Sequence, residues 1–415
     1  MVLIMEFNKN AFELLQDRGF IHSVSHEKEL KKMLETPTTF YLGIDPTADN
    51  LHIGHFFALQ MFKILQDHGH KGILLIGNAT AMIGDPSFKN DMRKLMTREE
   101  VEHNAREING ILHRFIALDG PNPAKVVHNA DWIRKFGYLE FMRLVATHMN
   151  VSEMLSKDCY KNRLGAGLTL LEMGYMPMQA YDFVHLNQQY NCTLQIGGSD
   201  QWANILAGVD LARKMSYSQC ESNQTPRPIT VALCCPLLTK ADGTKMGKTE
   251  KGVLWVNRDK TSVYDCYQYF LNVFDEDVER LLRFFTMISV ADIKKMCATD
   301  IVAAKKLMAF EVTKKMHGEQ AAKEAQATAQ QLFSGSNDGE NAPTEKITAP
   351  RGCLVVDALA MTSIIKSKRE AREFIEAGAI LIDNQKVTDV SAKLDPNKTE
   401  FLIKKGKKTF LKITL

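Results

Sequence analysis

The sequence predicts an α/β protein in which a parallel sheet with helices on both faces is followed by a helical region and a small α+β domain. Short β-like runs alternate with helix-like segments through the first 240 residues, residues 262–332 are wholly helical in pattern, and a turn-rich segment precedes a basic tail. Strand, helix, strand order with apolar strands is typical of a parallel sheet covered on both faces.

Three runs are the candidate strands of this sheet: residues 39–45, 71–77 and 193–196. Short apolar runs bounded by turn signals indicate buried strands, whereas residues 55–68 have the spacing of a helix. Sheets of this kind bind ligands at the carboxyl ends of their strands, so we expect a site there.

An apolar helical surface is predicted over residues 138–154, which contain Leu139, Met142, Leu144, Val145 and Met149. Such a surface packs either on the core of its own chain or on a second subunit. The pattern alone slightly favours the core and leaves the second subunit open.

Composition indicates a globular protein outside the secretory pathway. The chain has 415 residues, 45% hydrophobic and 24% charged, enough for two or three packed domains. Glu6 lies in the short N-terminal apolar stretch, and the uncharged residues 228–239 are too few for a membrane helix, which needs ~18 residues. The eight cysteines include no C-x-x-C pair, which predicts free thiols. We therefore expect a cytoplasmic protein with no membrane partner and no tightly bound metal.

Charge and turn-forming residues predict the domain boundaries. Residues 351–415 carry 13 Lys or Arg against 8 Asp or Glu, a net +5, and the first 350 residues carry −2. The basic tail indicates a polyanionic partner, and residues 334–343 are rich in turn formers. We predict an α/β domain at 1–240, a helical domain at 241–333, a linker at 334–350 and a C-terminal domain at 351–415.

The C-terminal domain contains a predicted basic helix. Ser367 to Glu370 has the pattern of a capping box, residues 371–377 continue the helix, Gly378 ends it and residues 379–382 form a strand. An exposed basic face on this helix suits RNA phosphates, although a merely solvated charged helix is the alternative. The residues of that face are Lys368, Arg369 and Arg372.

Two histidines at the start of a predicted helix mark the first candidate site. Gly54 lies between His52 and His55, and a glycine there lets a nucleotide approach the backbone while the helix N-terminus faces its phosphates. This arrangement suits ATP. An H-x-x-H pattern by itself could equally be a surface turn or half of a metal site.

A lysine-rich segment about 190 residues downstream marks the second candidate site. Residues 240–249, here called the lysine loop, contain Lys240, Lys245 and Lys248 together with Gly243 and Gly247. Glycines and lysines on one short loop can form a mobile cationic clamp for a triphosphate. In isolation the same residues would indicate a solvated basic turn.

This pair of motifs, in this order, resembles the signature of class I aminoacyl-tRNA synthetases. His52-Ile-Gly-His55 is intact, and Lys245-Met-Gly-Lys-Thr249 stands where that family usually has K-M-S-K-S. Four further motifs resemble the tyrosyl-tRNA synthetase family, in order over nearly the whole chain: Tyr41-x-Gly-x-Asp-Pro-Thr-Ala48, Gly84-Asp-Pro-Ser87, Tyr175-x-x-x-Gln-x-Tyr-Asp-Phe183 and Gln195-Ile-Gly-Gly-Ser-Asp-Gln201.

Two departures from that family pattern affect the expectations. Leu42 replaces the cysteine often seen beside the binding tyrosine, which removes one expected ribose contact. Residues 170–174 and Pro177 differ from the more usual T-E-F-S-Y-x-x-L, which affects the local backbone around Tyr175.

The resemblance implies a fold and a reaction. The fold is a Rossmann-like class I synthetase catalytic domain with a helical insertion at a dimer interface, then a helical anticodon-side domain and a C-terminal RNA-binding domain like ribosomal protein S-four. The reaction activates L-tyrosine with ATP, which brings Mg²⁺ with it, and transfers the tyrosyl group to tRNA(Tyr). A homodimer is implied as well.

The resemblance also assigns roles to individual residues. The implied tyrosine-binding residues are Tyr41, Asp85, Tyr175, Gln179, Asp182 and Gln201. The implied ATP-binding residues are Gly43, Asp45, His52, His55, Gly198, Asp200 and Lys248. Catalytic stabilisation of the phosphates is assigned to Thr47, His52, His55, Lys245, Lys248 and Thr249.

The tyrosine-binding assignment makes physical sense from the residues themselves. Tyr175, Gln179 and Asp182 are spaced i, i+4 and i+7, which places them on one face of a helix. A buried aspartate needs a partner, and a substrate phenol beside Tyr41 can supply it. Phenylalanine would leave both groups unsatisfied, and tyrosyl-tRNA synthetases are themselves the general illustration of this effect, with ~10⁵-fold rejection and no editing.

Two alternative functions stay open on the sequence. A relative that has lost catalysis could act as an RNA-binding or splicing protein, although the intact His52, His55, Lys245 and Lys248 favour the enzyme. Tryptophanyl-tRNA synthetases share the sheet and both signature motifs, but they lack the tail domain and do not need the pair of Tyr41 and Asp182.

Overall fold

The structure is a computed structural model that describes residues 9–87, 95–165, 167–219, 229–249, 252–334, 344–406 and 409–415. The chain divides into two compact units: the first contains Met1–Gly247 and Phe274–Ala304, and the second contains Lys248–Val273 and Lys305–Leu415. The predicted helical domain, residues 241–333, is thus shared between the units, and the predicted domain boundaries stay a prediction.

The strands, in chain order, are β1 Ser23–Val24, β2 Thr39–Ile44, β3 Lys71–Ile76, β4 Lys125–His128, β5 Cys192–Gly198, β6 Val231–Cys235, β7 Lys248–Thr249, β8 Gly252–Val253, β9 Thr344–Lys346, β10 Ile380–Ile382, β11 Gln385–Val387, β12 Glu400–Lys405 and β13 Thr409–Thr414.

The helices are α1 Ala11–Arg18, α2 Glu27–Met33, α3 Ile53–Asp67, α4 Arg98–Leu112, α5 Ala130–Ile133, α6 Tyr138–Leu144, α7 Val151–Ser156, α8 Asp158–Leu164, α9 Leu170–Met173, α10 Tyr175–Tyr190, α11 Trp202–Gln219, α12 Val263–Leu271, α13 Asp275–Phe285, α14 Val290–Thr299, α15 Ile301–His317, α16 Glu319–Ser334, α17 Val355–Ala360 and α18 Lys368–Glu376.

The first unit is built on a six-stranded sheet in the order β1-β6-β5-β2-β3-β4. Strands β2 to β6 pair in parallel, and only the short β1 is antiparallel to its neighbour β6. The strand order reverses between β2 and β5, which creates a crevice at their carboxyl ends where open α/β sheets bind ligands. The predicted parallel sheet and its three proposed strands are confirmed.

Helices α10 and α11 cover one face of this sheet. Tyr41 of β2, Phe183 of α10 and Ile205 of α11 belong to one buried apolar cluster, and the rings of Tyr41 and Phe183 lie 5.3 Å apart. Phe40 of β2 packs on Phe62 of α3, with ring centroids 4.8 Å apart. Because both faces are covered, β2 and β3 are buried along most of their length rather than in alternation.

The apolar surface predicted over residues 138–154 is not buried as we expected. Leu139 is 75% exposed and Met142 is 43% exposed, although Val145 is fully buried. The segment forms two short helices, α6 and α7, rather than one continuous helix. The expectation that this whole surface packs on the core of its own chain was therefore wrong for Leu139 and Met142.

The second unit contains α12 and α16, which pack together, and a C-terminal sheet in the order β11-β10-β12-β13-β9. The buried core of the C-terminal domain includes Ile375, Ile380, Ile403 and Leu411. Part of the predicted linker belongs to this sheet, because β9 pairs in parallel with β13. Residues 335–343 of that linker lie outside the described residues.

Helix α18 begins as the sequence predicts, with one correction. The side chain of Ser367 accepts a hydrogen bond from the backbone N–H of Glu370, as in a capping box. The Glu370 carboxylate, however, accepts from the N–H of Lys366 rather than from that of Ser367. Across the described ranges, no helix is both long enough and apolar enough to cross a lipid bilayer.

Candidate active site

The crevice between β2 and β5 is lined by chain segments that leave these strands. Asp45 follows β2 and accepts hydrogen bonds from Tyr175 at 2.8 Å and from Thr80 at 2.7 Å. Gly77, which follows β3, leaves space for that carboxylate, because a Cβ there would overlap Oδ1 of Asp45. The structure thus brings Asp45, predicted on the ATP side, into contact with Tyr175, predicted on the tyrosine side.

His52 and His55 form the N-terminal cap of α3. Nδ1 of His52 accepts from the backbone N–H groups of Gly54 and His55, and Nδ1 of His55 accepts from the N–H of His52. The two rings stack with centroids 3.7 Å apart. Burial lowers the pKa of both imidazoles; for His52 a backbone hydrogen bond opposes this and Lys245 adds to it, and for His55 the neighbouring His52 adds to it. Both histidines are therefore neutral groups at neutral pH, with one ring nitrogen occupied by the cap.

The lysine loop lies beside these histidines within the first unit as far as Gly247. Burial raises the pKa of the Asp200 carboxyl and lowers that of His52, and the charge of Lys245 acts to lower both. Gly247 has φ +92°, and a Cβ there would overlap the side chain of Ile53 at the start of α3. The two signature motifs thus meet in the structure. The side chains of Lys248 and Thr249, in β7, lie outside what the structure describes.

Helix α10 presents the predicted tyrosine-binding residues. It runs from Tyr175 to Tyr190, so Pro177 lies in its first turn, where a missing N–H costs little. Two buried polar atoms near this face have no hydrogen-bond partner among the described residues: the hydroxyl of Tyr41 and Oε1 of Gln179. Such orphaned atoms are costly unless a ligand completes them.

Asp182, 2% exposed, has two protein partners that the sequence did not predict. Asn129 donates to its Oδ2 at 3.1 Å, and the indole of Trp132 donates to its Oδ1 at 2.8 Å. Asn129 also donates to Thr80 at 3.0 Å, so hydrogen bonds run continuously from Asp45 to Asp182. The position of Asn129 could have indicated it as a site residue, because it directly follows β4 at the carboxyl edge of the sheet.

The electrostatics of this buried end favour neutral groups. Burial raises the pKa of Asp182 to about 8, against the opposing effect of its two hydrogen bonds. The pKa of Tyr41 is raised well above its usual value by burial and then by Asp182. A ligand that offers one hydroxyl, able to donate and to accept, suits a carboxyl and a phenol held in this state.

Asp85 and Gln201 meet near Tyr175. The amide of Gln201 donates to Asp85 at 2.6 Å, the backbone N–H of Ser87 donates to it at 2.9 Å, and Asn204 donates to Gln201 at 3.2 Å. The Asp85 charge also raises the pKa of Tyr175, after burial and Asp45. The structure therefore places carboxylates around the Tyr175 hydroxyl, which is a suitable environment for a cation.

The remaining residues predicted to bind ATP, together with Thr47, which is predicted to be catalytic, lie at the ends of β2 and β5. Gly43 and Thr47 are exposed at the end of β2, and Gly198 and Asp200 are partly exposed at the end of β5. A Cβ on Gly198 would collide with the Asp200 carboxylate. The backbone is thus bare at the point where the two strands diverge, which permits a nucleotide to approach closely.

The predicted RNA-binding residues lie on α18 in the second unit. Lys368 is 62% exposed and paired with Asp357 at 2.7 Å, and Arg369 is 89% exposed and paired with Glu373 at 3.0 Å. Arg372 is exposed as well. Exposed ion pairs of this kind are weak, so these cations can exchange their carboxylate partners for phosphates.

Comparison with known proteins gives full-length matches. Residues 32–334 match the family model of class I tRNA synthetases (W and Y), and residues 337–413 match the tyrosine–tRNA ligase SYY-like C-terminal domain. Curated tyrosine–tRNA ligases of Clostridium botulinum (strain Alaska E43) and Clostridium beijerinckii are each 44% identical, over 98% of this chain and 99% of theirs. A C-terminally truncated mitochondrial tyrosyl-tRNA synthetase of Coccidioides posadasii superposes with a TM-score of 0.67 at 31% identity, over 77% of this chain and 92% of that one.

Proposed function

This chain belongs to the tyrosyl-tRNA synthetases of class I, and we propose that it activates L-tyrosine with ATP and transfers the tyrosyl group to the 3′ end of tRNA(Tyr). The observation that supports tyrosine as the amino acid is the buried pair of Tyr41 and Asp182. One hydroxyl is orphaned and one carboxyl has a raised pKa, so a phenol is the group that completes them.

Activation requires no nucleophile from the protein. The tyrosine carboxylate is ionised at neutral pH and attacks the α-phosphorus of ATP, and the bond from that phosphorus to pyrophosphate breaks. Tyrosyl-adenylate and pyrophosphate are the products. Stabilisation of the phosphates is the task left to the protein, and we assign it to Thr47, His52, His55, Lys245, Lys248 and Thr249.

The neutral state of the histidines supports their part in this proposal. A neutral imidazole whose Nδ1 accepts hydrogen bonds carries its proton on Nε2, so His52 and His55 each offer one N–H donor to a phosphate oxygen. The N-terminus of α3 adds its positive dipole at the same place.

We assign the positioning of the tyrosine substrate to Tyr175 and the polar side chains around it. Asp85, Tyr175 and Gln179 hold the ammonium of tyrosine, and Gln201 lies near its carboxylate. The bare backbone at the crevice frames the adenosine, through Gly43, Asp45, Gly198 and Asp200. ATP would enter as its magnesium complex, and the cation would offset the charge that develops on the phosphates.

Transfer follows activation. The terminal ribose hydroxyl of tRNA(Tyr) attacks the carbonyl carbon of tyrosyl-adenylate, and AMP leaves. We propose that the C-terminal domain binds this tRNA through Lys368, Arg369 and Arg372, because these side chains are exposed in a domain of net charge +5. Cytoplasmic localisation forms part of the same proposal, since tRNA is charged there.

We also propose a homodimer formed through α6 and α7. Tyr138, Leu139, Met142 and Val151 are large apolar residues exposed together on this segment. Contiguous exposed apolar surface is typical of a protein interface, and a second copy of the chain is the occupant that the family resemblance implies.

Amino-acid-dependent exchange of pyrophosphate into ATP tests the activity directly. We expect exchange with tyrosine and far less with tryptophan or phenylalanine at equal concentration. Exchange that prefers tryptophan would replace tyrosine by the other amino acid of the family. No exchange with any of the three would indicate an RNA-binding protein without catalysis.

A further inference from the structure

We propose that Asp277 and Arg280 of α13 are positioning residues for Lys245, and that they fix the lysine loop in the register that brings this ammonium group to the phosphates of ATP. The inference rests on the proposed role of Lys245 in activation. It extends that role because both residues lie outside every sequence motif quoted above.

The first part of the lysine loop is a hairpin. Thr239 and Lys245 are antiparallel bridge partners, and the backbone N–H of Lys240 donates to the carbonyl of Thr244 at 2.8 Å. Gly243 closes the turn, since its N–H donates to the carbonyl of Lys240 at 2.9 Å. Paired strands share one register, so the position of Lys245 follows from the position of Thr239.

Side chains of helix α13 bind backbone groups in the first half of this hairpin. Oδ2 of Asp277 accepts from the N–H of Ala241 at 3.0 Å, and the guanidinium of Arg280 donates to the carbonyl of Thr239. Arg280 also donates to Oδ1 of Asp277 at 2.7 Å. The aspartate is 2% exposed, so this charge-assisted arrangement has little freedom to move.

The far end of the hairpin meets α3. Gly247, at φ +92°, packs against Ile53 so closely that a side chain there would overlap it. Lys245 lies between this contact and the turn, and its charge acts on both His52 and Asp200. Helix α13 at one end and α3 at the other therefore determine where the ammonium group lies.

A double-mutant cycle on the full-length protein tests the proposal. The variants are Arg280→Met, Lys245→Ala and the double variant, assayed for tyrosine-dependent pyrophosphate exchange with kcat and KM for ATP and for tyrosine. We expect Arg280→Met to lower kcat/KM for ATP on the order of tenfold to a hundredfold, as misplacement of a catalytic group does, with KM for tyrosine unchanged. In the Lys245→Ala background the same substitution should change the rate by no more than about twofold.

Two further variants separate positioning from folding. Arg280→Lys keeps a cation beside Asp277 and should recover part of the lost rate. Arg283→Met makes the same substitution three residues further along α13, where the side chain pairs with Glu279, and it should leave exchange unchanged. Thermal unfolding is measured for every variant. If Arg280→Met fails to fold, the cycle is run with Arg280→Lys.

The outcomes distinguish this inference from the proposed function. An equal loss from the Arg280 substitution with and without Lys245 would overturn positioning while leaving the role of the lysine intact. A wild-type rate in Lys245→Ala would overturn both. The inference is supported if the Arg280 substitution lowers the rate strongly when Lys245 is present and changes it little when Lys245 is absent.

Discussion

The indole nitrogen of Trp132 donates a hydrogen bond of 2.8 Å to Oδ1 of Asp182, and the Trp132 ring stacks on that of His185 at a centroid distance of 4.2 Å. Asn129 donates to the other carboxylate oxygen. The carboxylate therefore has a fixed orientation within the protein itself, which is the preorganisation that selective binding requires. Under the proposed role of Asp182, selection of a phenol would thus depend on Asn129 and Trp132, which lie outside the recognised motifs.

Trp132→Phe should reduce tyrosine selection while leaving ATP binding unchanged. The substitution keeps an aromatic ring to stack on His185 and removes only the N–H donor to Asp182. The Asp182 carboxyl is neutral at neutral pH, and a hydrogen bond to a neutral group contributes about 0.5–1.5 kcal/mol, so kcat/KM for tyrosine should fall by about twofold to tenfold. Steady-state exchange kinetics check this, with Trp255→Phe as a control outside the first unit. An equal rise in KM for ATP would contradict the assignment.

Discrimination between tyrosine and phenylalanine should increase as pH rises through about 8. Burial raises the pKa of Asp182 to about 8, so the carboxyl is neutral below this pH and ionised above it. Phenylalanine cannot donate to an ionised acceptor, and an ionised group lacking a donor costs more than a neutral one. Exchange with both amino acids from pH 7 to pH 9 gives the ratio. Asp182→Asn, which cannot ionise, should flatten it, and parallel curves for the two proteins would refute this.

The free energy of unfolding should fall below pH 6.5, partly through His55. Burial lowers the pKa of His55 well below its ordinary value, so the folded state binds fewer protons than the unfolded state as pH falls below about 6.5. Stability is thus present above that pH and is lost below it. His70, with a pKa lowered to about 4, acts in the same direction.

His55→Gln should make this dependence shallower, by up to about 1.4 kcal/mol for each pH unit. Urea unfolding at pH 7.5 and 5.5 measures it. His103→Gln, at an exposed position of α4, is the matched control. Identical slopes for His55→Gln and the wild type would show that this histidine does not contribute.

A chain ended at Ser334 should retain tyrosine-dependent exchange and charge tRNA poorly. Every residue assigned to tyrosine, ATP and phosphate chemistry precedes that point, whereas the +5 domain follows it. Contacts with RNA phosphates weaken as salt rises, so tRNA binding by the shortened protein should also depend less on salt. Both activities are measured on one preparation. Undiminished charging would rule out an essential RNA-binding role for the domain, and loss of both activities would mean that it supports the fold.

Leu139→Glu should shift the protein towards a monomer. The residue is 75% exposed on the surface formed by α6 and α7, and a charge in an apolar interface is costly to desolvate. Sedimentation at several protein concentrations measures the state of assembly. Val302→Glu, at another exposed apolar position of the first unit, should leave it unchanged. Equal sedimentation of Leu139→Glu and the wild type would exclude this surface as the interface.

The sequence predicted those elements whose periodicity is strong. Strands β2, β3 and β5 and helix α3 lie within two residues of the predicted bounds, because apolar runs and helical spacing report burial directly. The same pattern did not show what residues 138–154 face, since an apolar stripe is alike whether it covers a core or awaits a partner. Strand β9 was missed because three residues beside a turn-rich segment show no period.

Candidate site residues that belong to recognised motifs were named from the sequence. Residues that reach the site only through the three-dimensional fold were missed. The spacing of Tyr175, Gln179 and Asp182 placed them on one helix. Asn129, Trp132 and Thr80 belong to other segments, and their hydrogen bonds depend on strand order, which no local spacing encodes. The contacts of Asp277 and Arg280 with the lysine loop could not be predicted for the same reason.

The hydrogen-bonded series from Asp45 to Asp182 constrains how this chain can diverge. A lineage that changed Asp182 alone would leave the donors of Asn129 and Trp132 without an acceptor. The intermediate protein would be less stable until compensating changes arose. Tyr41 is different, because its hydroxyl has no protein partner within the described ranges, so its loss strands nothing in the free protein. The hydroxyl of Tyr41 in β2 can therefore be lost in a single step, whereas a change of Asp182 in α10 requires several changes together.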